Sequence, residues 1–329
     1  MRSRLFWADR YWRHIVAAGR PILVGPWRSE VGFEVLYWLP WLAAWRARYQ
    51  VPREQIIVIT RGGAGVWYDA GQTVDLYEYV PLAQLRQAML RDAAATGSIK
   101  QQTLTPWERK LLPLIAEGLG LRRYAVLHPS VLYRTLAPWW DGAQGLSATI
   151  RQLRFAPLPV PSPPLTLALP ERFVAARFYA RHTWPLSEPT QQYATALLDR
   201  IAGALPVVLL ETGLHTDDHL DFPLPGVQAL RLTGAVTPST NLAVQSAVLA
   251  KATAFVGTYG GTMQLAVRLG KPSLGLYTTL EGTCYAHKVL TEWLAVQQGT
   301  PLCIGRPEDT RVIGDLLVPP VRAVATIGG

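Results

Sequence analysis

The second half of the chain alternates short apolar runs with amphipathic segments, and this order constrains the fold more than any other feature. Five apolar runs predict strands, at 173–179, 206–211, 227–232, 253–258 and 272–278. Four segments have helical spacing, at 189–204, 239–252, 261–270 and 286–298. Such alternation is typical of a doubly wound parallel sheet, whose ligands bind beyond the carboxyl ends of its strands. A site is therefore expected in the loops after Tyr179, Glu211, Thr258 and Thr278.

The first half of the chain begins in the same way. The run PILVGPW (21–27) predicts a buried strand and turn, and QIIVIT (55–60) predicts a second strand. Between them, residues 29–50 carry an apolar stripe of helical spacing. We expect Ser29 to cap this helix and Pro40 to kink it. Strand, helix and strand in this order indicate a second α/β lobe.

A Pro-rich segment separates the two halves. We predict mainly helix over 70–122 and one more strand at 123–130. The stretch APLPVPSPPLTLALP (156–170) is stiff and extended, which makes it the best domain boundary in the chain. The sequence therefore predicts an N-terminal lobe at 1–155, a linker, and a C-terminal lobe at 171–329.

Charge is unevenly distributed between the lobes. The net charge is +9, yet residues 1–170 hold 20 Lys and Arg against 11 Asp and Glu, whereas residues 171–329 hold 12 of each. Ten of the 12 Trp residues also lie in the first part. A basic, Trp-rich lobe fits contact with an anionic membrane surface or an anionic acceptor. A solubilising surface and core tryptophans explain the same counts. Nucleic acid is not expected, because no RNP, zinc-finger or KH pattern is present.

The cysteines and the N-terminus predict a cytoplasmic protein. Cys284 and Cys303 lack the spacing of a metal site and suit a reducing compartment. The opening MRSRLFWADRYWRH interrupts its aromatics with Arg and Asp, and no apolar core of a signal peptide follows. No apolar stretch reaches the roughly 18 residues of a membrane-spanning helix. A cytoplasmic location is compatible with peripheral contact with the inner face of a membrane.

The segment FVGTYGGTMQLAVRLGKPSLGLY (255–277) carries the strongest functional signal. A strand ends at Thr258, a Gly260-Gly261 turn follows, and a helix begins near Thr262. Free backbone N–H groups and the positive helix end can bind an anion there, with the two threonine hydroxyls as further donors. An ordinary β–α turn would also use Gly-Gly, because glycine suits any tight turn.

The continuation LAVRLGKPSLGLY (265–277) resembles the nucleotide-sugar loop of the GT-B glycosyltransferases, among them bacterial heptosyltransferases and fucosyltransferase-like enzymes. In those proteins a strand, a turn of small residues and a helix continue as xLAxxLGxPxxxLY. The resemblance covers the order and type of elements in the whole second lobe. It implies two Rossmann-like lobes facing a cleft, a nucleoside-diphosphate sugar on the second lobe, and chemistry without a metal or cofactor. The diphosphate would bind at Thr258, Gly260, Gly261 and Thr262.

Two arginines are expected beside that diphosphate. Arg177 lies within an otherwise apolar strand, FVAARFY (173–179), and Arg181 follows in the next loop. An arginine inside such a strand is costly unless it is paired, and guanidinium groups bind phosphates in bidentate fashion. Two solvated arginines would be the simpler interpretation. Arg177 also resembles the basic residue of protein O-fucosyltransferases that stabilises the leaving diphosphate.

The acidic loop ETGLHTDDHLDF (211–222) is open to three interpretations. It can contact the nucleoside or the other lobe, it can be a solvated turn, or its carboxylates and imidazoles can bind a divalent ion. We favour nucleoside contact over the metal site. The predicted nucleoside-binding residues are Gly213, Asp217, Asp218, His219 and, by analogy with GT-B sites, Glu281.

The turn GPWRSEVGFE (25–34) resembles the one from which GT-B enzymes project an acidic base. Glu30 would begin the helix and act as the base that accepts a proton from the acceptor hydroxyl, with Glu34 one turn further on the same face. The competing interpretation is a carboxylate that merely stabilises the helix start. Further acceptor contacts are expected from VWYDAGQTVDLYEYV (66–80), whose acids Asp69 and Asp75 are second choices as the base. There Trp67 and Tyr68 can stack on a sugar ring.

These observations lead to three functional hypotheses. The first is a metal-independent glycosyltransferase that moves a sugar from a nucleoside-diphosphate donor to a glycan or lipid-linked acceptor, in bacterial polysaccharide or glycolipid synthesis. The second is a nucleotide-sugar epimerase on the same fold, and the third is a non-catalytic nucleotide-sugar-binding protein. No GxSxG, Walker A, HExxH or GxGxxG pattern is present, which argues against hydrolases, ATPases, zincins and dinucleotide enzymes. The first and third hypotheses differ in whether Glu30 faces the Gly-Gly turn.

Overall fold

Two parallel sheets form the framework of the protein. The computed structural model describes residues 2–97, 100–163, 165, 167–214 and 220–311. The first-lobe sheet has the order β3-β2-β1-β4, and all its neighbours are parallel. Its strands are β1 (Ile22–Val24), β2 (Ile56–Thr60), β3 (Gln72–Asp75) and β4 (Ala125–Leu127).

The second-lobe sheet is larger and has the order β12-β11-β10-β5-β7-β9. Its strands are β5 (Val174–Arg177), β7 (Val207–Leu209), β9 (Leu230–Arg231), β10 (Ala254–Thr258), β11 (Ser273–Leu276) and β12 (Leu302–Gly305). A separate antiparallel pair joins β6 (Tyr179–Ala180) to β8 (Leu220–Asp221). Chain order reverses between β5 and β10, which is the switch point of a doubly wound sheet.

Helices connect and cover these strands. The α-helices are α1 (Arg2–Ala17), α2 (Val31–Phe33), α3 (Leu39–Tyr49), α4 (Leu82–Thr96), α5 (Pro106–Gly118), α6 (Ser130–Trp140), α7 (Leu146–Ile150), α8 (Glu188–Ala202), α9 (Asn241–Lys251), α10 (Gly261–Arg268) and α11 (Thr283–Gln298). The predicted fold class, α/β with two doubly wound parallel lobes facing a cleft, is confirmed.

The largest apolar cluster runs through both lobes. It joins Trp27 and Trp38 of the first lobe to Phe255 and Met263 of the second. Trp27 and Trp38 stack with ring centroids 5.6 Å apart, and both are fully buried. The tryptophans that enrich the first lobe therefore include structural core residues, and the lobes share a hydrophobic junction.

The helix predicted over 29–50 is interrupted for an identifiable reason. A π-helical segment, Glu34–Trp38, separates α2 from α3, and Pro40 follows at the start of α3. Proline has no N–H to donate to the preceding turn, and a wider turn accommodates that loss. The helix continues through Pro40 without a break, and the irregularity is the π-helical segment that ends two residues before it. Ser29 is not the cap, because Glu30 occupies that position and the Ser29 hydroxyl bonds with Tyr133 at 3.2 Å.

The prediction of mainly helix over 70–122 was wrong for β3. This strand reads QTVD and exposes its first two residues at the sheet edge, so it lacks the apolar run by which strands are recognised. The described residues of 156–170 form neither helix nor strand. The domain limits themselves remain a prediction. Within the described residues, no helix has both the length and the apolar character to cross a membrane.

Candidate active site

Two helix N-termini, one from each lobe, meet at the candidate site. Helix α2 begins at Val31 after β1, and helix α10 begins at Gly261 after β10. A Cβ atom on Gly261 would lie 2.9 Å from the backbone nitrogen of Gly32, so only glycine permits this approach. The contact brings Glu30 opposite the Gly260-Gly261 turn.

A half-open cavity of about 100 Å³ lies at this junction. It adjoins the carboxyl ends of β5 and β10, between which the order of the sheet reverses. The predicted site residues that line it are Glu30, Arg177, Arg181, Gly260, Gly261 and Thr262. These residues come from three separate segments of the chain, so their convergence is a property of the fold.

Glu30 directs its carboxylate into the cavity. Its backbone is extended (φ −61°, ψ 145°), and its side chain makes no capping hydrogen bond to α2. The Oε1 atom lies 3.6 Å from Nη2 of Arg181, and the side chain is 22% exposed. This carboxylate does not cap the helix in the way that the competing interpretation requires. It is accessible and oriented by an ion pair, as a general base facing a cleft must be.

Arg177 is anchored on the second-lobe wall of the cavity. Its Nη1 donates to Oε1 of Gln245 at 2.7 Å, and its Nη2 lies 3.6 Å from Oδ1 of Asp221. Its Nε has no hydrogen-bond partner among the described residues. The guanidinium is therefore held in place and keeps an unsatisfied donor, which suits it to an anion.

The turn before α10 offers backbone donors to the same cavity. The first N–H groups of any helix lack intrahelical acceptors, and the cap residue Gly260 has no side chain to satisfy them. A Cβ on Gly260 would overlap the hydroxyl of Tyr179, so glycine is required here by close packing. The positive helix end, the free N–H groups and the neighbouring arginines together make this turn a candidate anion site.

Thr258 does not belong to this anion site. Its side chain is fully buried, and its Oγ1 accepts from the backbone nitrogen of Tyr179 at 3.1 Å and donates to the carbonyl of Tyr179 at 3.3 Å. The hydroxyl is thus already used to fix the β6 backbone. The expectation of a diphosphate contact from Thr258 is corrected accordingly.

Three of the expected acceptor residues are buried elsewhere. Glu34 has no exposed surface and accepts from Thr60 Oγ1 at 3.0 Å, from Arg61 Nη1 at 2.8 Å and from the Tyr68 hydroxyl. Burial raises the pKa of Glu34. Tyr68 is committed to this network, and Trp67 donates to Ser246 across the lobe junction at 3.2 Å. We therefore reassign all three from acceptor contact to the interior.

The second-choice acids also have structural partners. Asp75 accepts from the backbone nitrogens of Gly63 at 2.7 Å and Tyr77 at 2.9 Å, which orders the loop after β2. Burial raises the pKa of Asp75. Asp69 pairs with Arg46 and Arg53 on another face. Neither carboxylate lines the cavity.

The predicted nucleoside-binding residues are only partly described. Asp217, Asp218 and His219 lie outside the described residues. Gly213 donates its N–H to Oδ2 of Asp221 at 3.1 Å, and Glu281 is exposed beyond the cavity. Asp221 therefore links this loop to Arg177, which connects the expected nucleoside side of the site with the diphosphate side.

A further cation, which the sequence did not point to, lies close to the site. Lys100 lies near Glu30, Arg181 and Cys284, and its Nζ is 4.7 Å from the centre of the Phe33 ring. Burial lowers the pKa of Lys100. Lys100 is in a polar loop between two helices of the first lobe, and nothing local marks it as functional.

The side chains of His182, Cys284 and His287 also line the cavity on the side of the second lobe. His287 Nδ1 and the Tyr37 hydroxyl are 2.7 Å apart, and burial lowers the pKa of His287 to about 3, so this imidazole is neutral at physiological pH. Cys284 Sγ lies 3.6 Å from His182 Nε2, and burial raises the pKa of the thiol. Among the described residues, no three His, Cys, Asp or Glu side chains form a group that could hold a metal ion.

Solved structures of glycosyltransferases are similar to this chain. A family 9 glycosyl transferase from Veillonella parvula has 12% identity over 91% of this chain and 89% of its own, with a TM-score of 0.44. The E. coli heptosyltransferase WaaC with ADP has 13% identity over 91% and 100%, with a TM-score of 0.46. The E. coli ADP-heptose lps heptosyltransferase II has 14% identity over 85% and 100%, with a TM-score of 0.43.

No protein-family model matches the sequence, and no curated protein does. The structural similarity agrees with the resemblance to GT-B glycosyltransferases noted in the sequence. At these identities and TM-scores it carries no argument about donor, acceptor or activity. Those questions depend on the geometry of the site.

Proposed function

We propose that the protein is a glycosyltransferase that moves a sugar from a nucleoside-diphosphate donor to an acceptor hydroxyl. One observation carries the proposal. The carboxylate of Glu30 in the first lobe faces the anion site of the second lobe, formed by Arg177, Arg181 and residues 260–262. A base on one side and a binding site for a leaving diphosphate on the other are what this transfer requires.

The proposed reaction assigns a role to each of these groups. Glu30 accepts the proton of the acceptor hydroxyl as that oxygen bonds to the anomeric carbon. The bond from that carbon to the diphosphate oxygen breaks, and the nucleoside diphosphate leaves with the bonding electrons. Arg177, Arg181 and the first N–H groups of α10 stabilise the charge that develops on it.

Arg181 couples donor binding to the base. Its Nη2 lies 3.6 Å from Oε1 of Glu30. A bound diphosphate carries more charge than one carboxylate and would draw the guanidinium towards itself. Glu30 would then lose a cationic neighbour, which raises its affinity for a proton. The base would thus become effective when the donor is present.

The size of the cavity indicates that the lobes separate to admit a donor. About 100 Å³ holds a phosphate group, whereas ligand pockets for whole small molecules span roughly 300–1,000 Å³. The direct contact of Gly32 with Gly261 is the constriction. We propose that donor binding opens this contact.

Among the alternatives, a non-catalytic binding protein would need no carboxylate opposite the turn, so the position of Glu30 favours the transferase. The epimerase would require further acids and histidines near the diphosphate. The residues considered for that role, Asp217, Asp218 and His219, lie outside the described part of the chain. Among the described residues, His182 and His287 line the cavity, but Glu30 is the only acid that does. Metal-independent chemistry and a glycan or lipid-linked acceptor remain part of the proposal.

Nucleotide binding tests the proposal first. A thermal-shift panel of nucleoside diphosphates should raise the melting temperature of the wild-type protein, because a ligand that binds the native state stabilises it. The Arg177→Ala variant should lose about 1.5–3 kcal/mol of affinity for the best nucleotide, the size of a hydrogen bond to a charged group. Thr262→Ala serves as the control and should lose less. Unchanged affinity in Arg177→Ala would contradict the assignment of the diphosphate site.

A transfer assay then identifies the activity. Activated sugars that carry the best nucleotide are incubated with acceptors, and release of the nucleoside diphosphate is followed. Release that requires an acceptor supports transfer. Conversion of the donor sugar with no acceptor and no nucleotide release would instead identify an epimerase.

A further inference from the structure

Arg268 occupies the end of α10 opposite to the candidate active site. Helix α10 spans Gly261–Arg268, so at about 1.5 Å per residue its two ends are roughly 10 Å apart. The side chain is 5% exposed. A cation that is nearly fully buried here cannot take part in the anion site at residues 260–262.

Only part of this guanidinium has a partner. Its Nη2 donates to the carbonyl of Ala156 at 3.0 Å, and its Cζ lies 5.2 Å from the centre of the Phe155 ring. Its Nε and Nη1 are buried without a hydrogen-bond partner in the part of the chain that the structure describes. Burial alone lowers the pKa of Arg268 to about 10, and no neighbouring carboxylate counteracts it.

Arg28 and Arg61, the other buried arginines among the described residues, show what is missing. Arg28 is paired with Glu108 at 2.9 Å and Asp92 at 2.5 Å, and Arg61 is paired with Glu34 at 2.8 Å. A buried charge is strongly unfavourable unless it is paired and hydrogen-bonded. Arg268 has the burial of these residues without their counter-charge, which points to an anion supplied from outside the described chain.

A cavity leads to this guanidinium. It measures about 630 Å³ and lies between α3 and the segment 154–159, with Arg268 in its wall. Leu39, Leu42 and Leu158 supply apolar surface. Arg154 and Arg46 add further cations, and Asp69, which also lines the cavity, is paired with Arg46. This volume is typical of pockets for small organic ligands and is far larger than an inorganic anion needs.

The cavity is separate from the candidate active site. It reaches Ile56, the first residue of β2, whereas ligands of parallel sheets bind at the carboxyl ends of the strands. None of its lining residues lines the cavity at Glu30. Its walls come from α3, from residues 154–159 and from α10, so an occupant would contact both lobes at once.

We propose that this cavity is a second ligand site, which binds an anionic amphiphile. The anionic head, a phosphate or carboxylate, would bind the guanidinium of Arg268 beside Arg154. The apolar body would lie against Leu39, Leu42 and Leu158. This proposal does not depend on the glycosyltransferase assignment, because the two sites share no residue.

Octyl phosphate is a suitable probe, with inorganic phosphate and octanol as its two halves. At about 100 times its Kd, octyl phosphate should raise the melting temperature of the wild-type protein by roughly 5 °C. Neither half should do so at the same concentration. The Arg268→Met variant should have an unliganded melting temperature equal to or above that of the wild type, since it removes an unpaired buried charge, and should shift by less than about 1 °C with octyl phosphate.

Two control variants locate the effect. Arg86→Met removes an exposed cation on α4 and matches the change in net charge, and Arg177→Ala removes the cation of the active-site cavity. Both should keep the full shift with octyl phosphate. An equal shift in Arg268→Met, loss of the shift in Arg177→Ala, an equal shift with inorganic phosphate alone, or no shift at all would each overturn the proposal.

Discussion

The charged side chains of the first-lobe interior and those of the cleft are arranged in opposite ways. In the interior, Arg28 and Glu108 are 2% and 0% exposed and meet at 2.9 Å. In the cleft, Arg181 and Glu30 are 25% and 22% exposed, and their closest atoms are 3.6 Å apart. Interior charges are neutralised by partners from the same lobe, whereas the cleft pair joins the two lobes by a looser contact. The interior pairs stabilise the fold, whereas the charged side chains of the cleft can exchange partners.

The position of a residue in the chain does not decide to which set it belongs. Glu30 and Glu34 are four residues apart, yet one faces the cleft and the other is fully buried against Arg61. Substitutions in each set should therefore affect different measurements. The predictions below test this separation.

The largest effect is expected for Glu30→Gln. Glutamine keeps the shape and hydrogen bonding of the side chain but cannot accept the proton, so turnover should fall by about 10²–10⁴-fold. Nucleotide affinity and the free energy of unfolding should change little. Turnover is measured by release of the nucleoside diphosphate, and the melting temperature is recorded in parallel. Near-normal turnover would remove Glu30 as the base.

Arg28→Met should act on stability instead. It leaves Glu108 buried without its arginine, and loss of one partner of a buried pair costs about 3–5 kcal/mol of unfolding free energy. The matched control is Arg48→Met, which breaks a pair with Asp9 whose arginine is 60% exposed, and a surface pair is worth at most about 1 kcal/mol. Urea unfolding gives both values. Equal losses of unfolding free energy in the two variants would show that the buried pair stabilises the protein no more than the surface pair does.

Several parts of the site could be predicted from the sequence because they follow local rules. The Gly260-Gly261 turn, α10 and the two arginines at and beyond the end of β5 are placed by the alternation of strands and helices and by the rule that ligands bind at carboxyl ends. Glu30 was found because it stands at a strand-to-helix turn. These assignments need only the order of the elements.

Other parts of the site depend on packing that no local pattern shows. Glu34 was expected on the same face as Glu30 by helical spacing, but the backbone of Glu30 is extended, so its side chain is not part of the helical array. Lys100 comes close to Glu30 from a loop seventy residues further along the chain. Arg268 lies in the segment 255–277, whose Gly260-Gly261 turn carried the functional prediction. Nothing in the sequence distinguishes this arginine, and only the structure shows that it is buried without a counter-charge.

Lowering the pH should reduce the free energy of unfolding, because it protonates the buried carboxylate of Glu108. Its pKa is lowered from 4.5 to about 2, in spite of burial, by His128, whose Nε2 lies 3.3 Å from Oε2 of Glu108, and by the charge of Arg28. A depressed pKa means that the stability contributed by the carboxylate is complete above pH 4.5 and is lost as the pH falls towards 2. We expect the unfolding free energy to drop by about 2–3 kcal/mol across that interval. Glu108→Gln should flatten the curve, whereas an unchanged slope would contradict this role.

The smallest effect is expected from a chelator. This experiment tests whether the cations of the cleft suffice without a divalent ion. A leaving diphosphate needs positive charge near it, and metal-dependent transferases supply that charge with a divalent ion. In this cleft Arg177, Arg181 and the N-terminus of α10 already converge on one cavity, with Lys100 close by. We therefore predict that EDTA leaves nucleotide affinity and turnover unchanged within error, both in the wild type and in Thr262→Ala. A loss of turnover that added Mg²⁺ or Mn²⁺ restores would show that the arginines do not suffice. The acidic loop 211–222, whose Asp221 is already linked to Arg177, would then be the first place to look for the ligands of that ion.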